Sequence, residues 1–160
     1  MEWKIRPIQQ GDNPELALIV RTALTEFGAN KPGTVYYDES TDHLFELFQT
    51  PGSCYFVAEE GKQLLGGAGL FPTPGLPEGW CELVKMYLRK EARGLGLGRK
   101  LIAHCLEEAK RRGYHTVYLE TMPELRKAVK VYEQFGFEYL DGPVGNSGHF
   151  GCDVWMKKKI

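Results

Sequence analysis

An apolar run, Leu83 to Leu88, leads into Arg93-Gly94-Leu95-Gly96-Leu97-Gly98-Arg99 and then into Lys100-Leu101-Ile102. That is the pattern of a strand, a glycine-rich turn and an amphipathic helix. Glycine at every second position lets the main chain approach a ligand with no Cβ in the way. The first amides of the helix have no intrahelical acceptor, and the positive end of the helix dipole lies beside them. The turn therefore reads as a phosphate socket, and Arg89, Lys90, Arg93, Arg99 and Lys100 suit a ligand with several negative charges. Cations at a helix start oppose the dipole unless an anion sits there. Two common phosphate loops are excluded on residue identity. A P-loop counted from Gly94 needs a second glycine where Arg99 stands and serine or threonine after Lys100, where Leu101 stands; a dinucleotide fingerprint needs a third glycine where Arg99 stands.

The other segments bracket this unit. Trp3–Ile8 has strand composition, and Asn13-Pro14-Glu15 reads as cap, first helical residue and acidic first turn. Leu16, Ile19, Val20, Ala23, Leu24 and Phe27 recur at helical spacing up to Gly28. Ser40 can cap a short second helix carrying Leu44, Phe45, Leu47 and Phe48. Ser53–Glu59 and Leu64–Phe71 form a hairpin around Glu60-Gly61-Lys62. Cys81–Leu88 precedes the glycine turn and its helix, which stops at Gly113. Then come strand His115–Thr121, a helix opening at Pro123, and strands Phe137–Leu140 and His149–Lys157. The order is βααβββαβαββ, and 160 residues suit a single domain, 1–160.

Within that last helix, Ala128-Val129-Lys130-Val131-Tyr132-Glu133-Gln134-Phe135-Gly136-Phe137 is similar to the A-x-x-x-Y-E-x-x-G-F ending of the GNAT superfamily of N-acetyltransferases. The turn satisfies R-x-x-G-x-G through Arg93, Gly96 and Gly98, and so resembles that superfamily's acetyl-CoA-binding segment. The resemblance runs from about Trp80 through Phe137. It implies an α/β (α+β) fold with a mixed, mostly antiparallel sheet flanked by helices. It implies acetyl-CoA as co-substrate, held by Met86, Tyr87 and Leu88 along the strand and by the turn from Arg93 through Gly94, Leu95, Gly96, Leu97 and Gly98 to Arg99. One departure stands out. Many members carry an asparagine seven residues before the tyrosine, where this chain has Leu125, and Glu120 or Thr121 is then the alternative contact.

Acetyl transfer from a thioester to an amine needs a base for the ammonium, donors for the carbonyl oxygen and a proton for the thiolate. Glu82 lies eleven residues before Arg93, where several members of the resembled family place a catalytic glutamate. Strand alternation puts it on a face with Val84, Met86 and Leu88, whose apolar character raises a carboxyl pKa. The plain alternative is a solvated strand glutamate. Tyr132 matches the family's tyrosine near the cofactor sulfur; a merely packed tyrosine is the alternative. The resemblance places the acceptor between the loop 30–39 and the segment 141–153. It offers Tyr36, Tyr37, Asp38 and Glu39 on one side and His149 on the other.

The expected function is transfer of acetyl from acetyl-CoA to the primary amine of a small molecule, by direct attack in a ternary complex. A non-catalytic acyl-CoA-binding module and a peptide acetyltransferase are the alternatives. No metal is expected, because Cys54, Cys81, Cys105, Cys152 and the four histidines are scattered. A net charge of −1 gives no pull toward nucleic acid or anionic membrane. The absence of an apolar leader points to a cytoplasmic protein with free thiols. A homodimer is compatible with the resemblance.

Overall fold

The computed structural model describes residues 2–160 and is built around one seven-stranded sheet in the order β1-β2-β3-β4-β5-β7-β6. The strands are β1 (Lys4–Pro7), β2 (Cys54–Glu60), β3 (Gln63–Phe71), β4 (Trp80–Leu88), β5 (Thr116–Thr121), β6 (Glu138–Leu140) and β7 (Val154–Lys159). The helices are α1 (Asn13–Glu26), α2 (Leu44–Leu47), α3 (Leu97–Arg111) and α4 (Arg126–Gln134). Every neighbouring pair is antiparallel except β4 and β5. Element order and mixed sheet match the expectation. No helix among the described residues is long and apolar enough to cross a membrane.

Each face of the sheet carries its own core. Leu97, Leu101, Ile102 and Cys105 of α3 pack on Phe56, Ala68, Leu70 and Leu83, while Leu16 and Ile19 of α1 pack with Leu44, Tyr55 and Val57 on the opposite side. Truncating a fully buried leucine such as Leu101 to alanine costs about 2–5 kcal/mol. All four cysteines are buried free thiols.

Several boundaries differ from the sequence expectation. Asn13 is the first residue of α1, not its cap: its side chain accepts from the Phe45 amide (2.8 Å) and donates to Glu46 (2.6 Å), tying α1 to α2. Ser40 lies in a 3-10 turn, Glu39–Asp42, so α2 starts only at Leu44. After Pro123 the chain makes a turn closed by Leu125 N–H to the Met122 carbonyl (3.0 Å), and α4 begins at Arg126. The last strand begins at Val154, which leaves His149 in the preceding loop.

A bulge in β4 matters most. Gly67 faces Tyr87 and Gly69 faces Val84, so Lys85 and Met86 stand opposite the single residue Ala68, and Lys85 takes φ 53. The extra residue reverses the alternation. Leu83, Met86 and Leu88 join the α3-side core, whereas Val84 and Tyr87 face α1 and α2. The expected common face of Glu82, Val84, Met86 and Leu88 therefore breaks at the bulge. The Tyr55 hydroxyl holds the kink by donating to the Lys85 carbonyl (2.8 Å).

Candidate active site

Strands β4 and β5 pair only over Trp80–Glu82 and Thr116–Tyr118, then part. The β4 edge beyond Glu82 thus has main-chain groups free of a β5 partner, and the gap opens toward the glycine turn. Three connected spaces follow from this parting.

The outermost is a groove of about 360 Å³ between the turn and α4, lined by Met86, Leu88, Arg93, Gly94, Gly96, Gly98 and Arg99 together with Phe27, Leu125 and Ala128. Gly96 (φ 91) caps α3, and the first helical bond runs from Lys100 N–H to the Gly96 carbonyl (3.2 Å). Among the described residues, the amides of positions 94–99 find no acceptor. A Cβ on Gly94 or Gly96 would meet nothing within 4 Å, so the concavity is unfilled by protein. The turn therefore fits a phosphate-bearing ligand.

Its cations are less free than the sequence suggests. Arg89 pairs with Glu15, and Arg93 pairs with Glu26 (2.9 Å) while donating to the Leu88 carbonyl (3.0 Å). Arg93 thus anchors the turn to β4. Two positions from the sequence reading contribute main chain alone. Leu95 projects outward, 46% exposed, and the Leu97 side chain belongs to the core. Tyr87 points away from the groove and into the middle space.

That middle space, about 110 Å³, shares Phe27, Met86, Leu88, Leu125 and Ala128 with the groove and also contains Glu82, Tyr87, Glu120, Tyr132 and His149. Tyr132 is buried edge-on to Phe137 at 5.8 Å, and burial pushes its phenol pKa well up, so the proton stays on. Among the described residues the hydroxyl has no hydrogen-bond partner. Because no fully enclosed side-chain polar atom lacks a partner, that hydroxyl opens on the space. Leu125, where the resembled family has asparagine, lines both groove and middle space.

Glu82 is 3% exposed. Burial pushes its pKa up to about 7, against the hydrogen bond from Thr73 Oγ1 to Oε1 (2.6 Å), which lowers it. A carboxyl poised there exchanges protons at neutral pH.

The third space, about 130 Å³, shares Glu82, Val84, Lys85 and His149 with the second, and adds Asp38, Thr73 and Ser147. His149 Nε2 lies 2.6 Å from Asp38 Oδ2, and Lys85 Nζ lies 3.4 Å from the same oxygen. Burial pushes the Asp38 carboxyl up, but His149 and Lys85 outweigh it and hold the pKa low. Burial likewise lowers Lys85, against the pull of Asp38. Glu120 accepts from Tyr118 Oη (2.7 Å) and from Ser147 Oγ. It lies 3.8 Å from His149 and does not line the groove at the glycine turn. The walls are stitched together by Gly151 N–H to the Gly33 carbonyl (2.9 Å) and Asn146 N–H to the Pro74 carbonyl (2.7 Å).

Of the acceptor-side expectations, His149 is brought in while Tyr36, Tyr37 and Glu39 are not. Two successive 3-10 turns, Val35–Tyr37 and Glu39–Asp42, leave Asp38 between them as the inward residue. Tyr36 packs edge-on against Tyr37, which is 59% exposed. Glu120, Lys85 and Thr73 line the second or third space without a motif in the sequence that marks them for it. The one available signal was a charged residue inside a predicted apolar strand, which applies to Lys85 and Glu120 alike. No metal pattern is visible in sequence, yet one ligand atom each from Glu82, Glu120 and His149 falls within 4.8 Å of the others.

The sequence model of the acetyltransferase (GNAT) family matches residues 20–137. Over 158 residues, 98% of this chain and 94% of the other, the sequence is 37% identical to YjgM of Escherichia coli (strain K12), an uncharacterized N-acetyltransferase. An acetyltransferase of the GNAT family from Staphylococcus aureus Mu50 superposes with a TM-score of 0.87 at 18% identity, covering 99% of both chains. YncA of Salmonella typhimurium, solved with its cofactor acetyl-CoA, superposes with a TM-score of 0.77 at 21% identity over 99% of this chain and 94% of that one. With the family model spanning most of its length and a 37% identical N-acetyltransferase relative aligned almost end to end, the chain belongs to the GNAT family of N-acetyltransferases.

Proposed function

We propose that this protein transfers the acetyl group of acetyl-CoA to a primary amine of a small molecule, by direct attack within a ternary complex. The observation that carries the proposal is the meeting of Glu82 and the Tyr132 hydroxyl in one space continuous with the glycine groove. In this reading the amides from Gly94 to Arg99 hold the pyrophosphate, and the main chain of Met86 and Leu88 holds the pantetheine arm. Acetyl-CoA supplies an activated carbonyl and a thiolate leaving group.

Glu82 takes the proton that makes the amine nucleophilic, directly or through a water. The unpaired β4 edge past Glu82 offers main-chain N–H groups to the carbonyl oxygen as negative charge develops there. Tyr132 gives its proton to the departing sulfur and recovers one from solvent. The nitrogen–carbon bond forms as the carbon–sulfur bond breaks, the nitrogen then sheds its second proton to solvent, and the net products are an amide, free CoA with its thiol protonated and one proton. The small volume of the third space and its stitched loops favour a small acceptor over a peptide tail.

CoA release from acetyl-CoA, measured across polyamines, amino acids, aminosugars and peptides with wild type and Glu82→Gln, tests the reading. Turnover that Glu82→Gln reduces at least about a hundredfold is expected. Acetyl-CoA binding without turnover on any amine would make the protein a binding module, and turnover indifferent to Glu82→Gln would move the base elsewhere.

A further inference from the structure

We propose that Glu82, Glu120 and His149 form a three-point socket for the ammonium of the acceptor, with Glu120 and His149 selecting primary amines over secondary amines and alcohols. This rests on the transfer reading above and adds residues that it does not use.

Two facts of geometry support the socket. One atom from each of the three side chains lies within 4.8 Å of the other two, and His149 Nδ1 is 3.8 Å from Glu120 Oε1. A primary ammonium has three N–H bonds at tetrahedral angles. Acceptors about 2.8 Å from its nitrogen then stand about 4.6 Å apart. A zinc ion, with ligands at about 2.1 Å, would hold the same atoms about 3.4 Å apart. The 3.8 Å between His149 Nδ1 and Glu120 Oε1 falls between the two spacings, so the choice of an ammonium rests on the free acceptor sites and on charge.

Each member also has an unused acceptor site. Glu82 is 3% exposed and takes its single protein hydrogen bond, from Thr73, on Oε1. Its other oxygen opens on the space, since no enclosed polar atom lacks a partner. Asp38 accepts from His149 Nε2, which in the neutral ring fixes the tautomer with a lone pair on Nδ1. Tyr118 and Ser147 hold Glu120 in place while its oxygens keep lone pairs. Among the described residues the nearby Lys85 ammonium is engaged by Asp38 and forms an ion pair with neither glutamate. An incoming ammonium supplies a counter-ion. A secondary amine fills two of the three points and brings an alkyl group to the third; an alcohol brings one donor and no charge.

Calorimetric titration of the acetyl-CoA-free protein with propylammonium, N-methylpropylammonium and propanol tests this directly. Propylammonium is expected to bind at least about tenfold more tightly than the N-methyl analogue, with no detectable binding of the alcohol. Glu120→Gln, nearly isosteric, is expected to weaken propylammonium about tenfold while leaving the acetyl-CoA Kd unchanged, which also reports that the variant is folded.

Equal binding of primary and secondary amines, indifference to Glu120→Gln, or no amine binding overturns the socket. A stoichiometric zinc site displaced by EDTA and unaffected by propylammonium would reassign the three side chains to a metal. The two proposals fail separately. Selective amine binding without CoA release keeps the socket and removes the transferase. Turnover with equal kcat/KM for primary and secondary amines does the reverse.

Discussion

Asp38 and His149, 111 positions apart in sequence, meet through a 2.6 Å contact between Oδ2 and Nε2. Asp38 sits between two 3-10 turns following α1, and His149 sits in the loop before β7. The contact therefore closes the third space from two directions. Lys85, on the bulge between them, shares the same carboxylate oxygen at 3.4 Å, although its side chain is only 4% exposed.

A buried ammonium whose partner is removed is costly, whereas removing both charges is not. Asp38→Asn is thus expected to lower stability by about 1–3 kcal/mol, discounted for the partial exposure of Asp38. Lys85→Met in the Asp38→Asn background is expected to recover at least half of that loss. Urea denaturation of both single variants and the double variant gives the coupling. Additive losses would mean that the pair contributes nothing.

Glu82 links activity to stability with opposite signs. Its folded pKa of about 7 lies above the unfolded value of 4.5, because burial outweighs the Thr73 bond; Glu120 adds to the rise, and His149 and Lys85 oppose it. The proton is therefore held more tightly in the folded state. The stability that it contributes is complete below pH 4.5 and is lost as pH rises through 7. Glu82→Gln, which cannot ionise, is expected to exceed wild type at pH 8 by on the order of 2–3 kcal/mol and to match it near pH 4. Turnover runs the other way. With Glu82 as the base, wild-type turnover is expected to rise with pH through a limb near 7 that is absent in the variant. Denaturation midpoints at the two pH values, beside a kcat profile, check both halves.

The parts of this arrangement that were legible in sequence are those fixed locally. Leu83–Leu88 followed by alternate glycines specifies strand, turn and helix start without reference to the rest of the chain, and Gly28 and Gly113 mark helix ends through left-handed φ values of 67 and 90. The bulge was not legible. Lysine at φ 53 has no local signature, and it is imposed by registry against β3 and by the Tyr55 hydroxyl from β2. For the same reason simple alternation puts Met86 and Leu88 on the face of Val84, whereas they join the α3-side core. Asp38 was one of four polar residues in a loop, and only the folding of that loop into two 3-10 turns chooses it over Tyr36, Tyr37 and Glu39. Glu120 read as a substitute contact for the missing asparagine, but Tyr118 and Ser147 turn it toward His149.

Gly98 is a position where binding and stability trade against each other. It lies in the first turn of α3 with helical φ, so alanine there is expected to stabilise the protein by about 0.5–1 kcal/mol. The added Cβ would sit 3.6 Å from Leu88 Cδ1 and 3.9 Å from Met86 Cε, ordinary contacts in the free protein. It would also project into the groove. Acetyl-CoA is expected to bind about tenfold more weakly while Tm rises, and unchanged affinity would show that the groove does not hold the cofactor.

Tyr132→Phe removes a hydroxyl that has no protein partner and leaves the ring on Phe137. Stability is expected to change by less than about 0.5 kcal/mol. If the hydroxyl serves the leaving sulfur, kcat falls about 10–100-fold with less than about a threefold change in acetyl-CoA Kd. Isothermal titration and steady-state kinetics separate the two. A loss confined to affinity would reduce Tyr132 to packing.

Tyr55→Phe tests whether the bulge is held from beneath. The Tyr55 hydroxyl is buried and donates to the Lys85 carbonyl at 2.8 Å. Without it that carbonyl stays enclosed and unsatisfied, at a cost of about 1–3 kcal/mol. The strain of Lys85 at φ 53 then favours flattening β4, which would return Met86 and Leu88 toward the alternation expected from sequence and would narrow the parting from β5. The variant is therefore expected to lose turnover beyond what its lowered stability explains, although Tyr55 lines none of the three spaces. Lys85→Gly in the same background relieves the φ strain and is expected to recover part of the stability but not the Asp38 ion pair. Activity of Tyr55→Phe equal to wild type at a temperature where both are fully folded would show that the kink is set by registry with β3 alone.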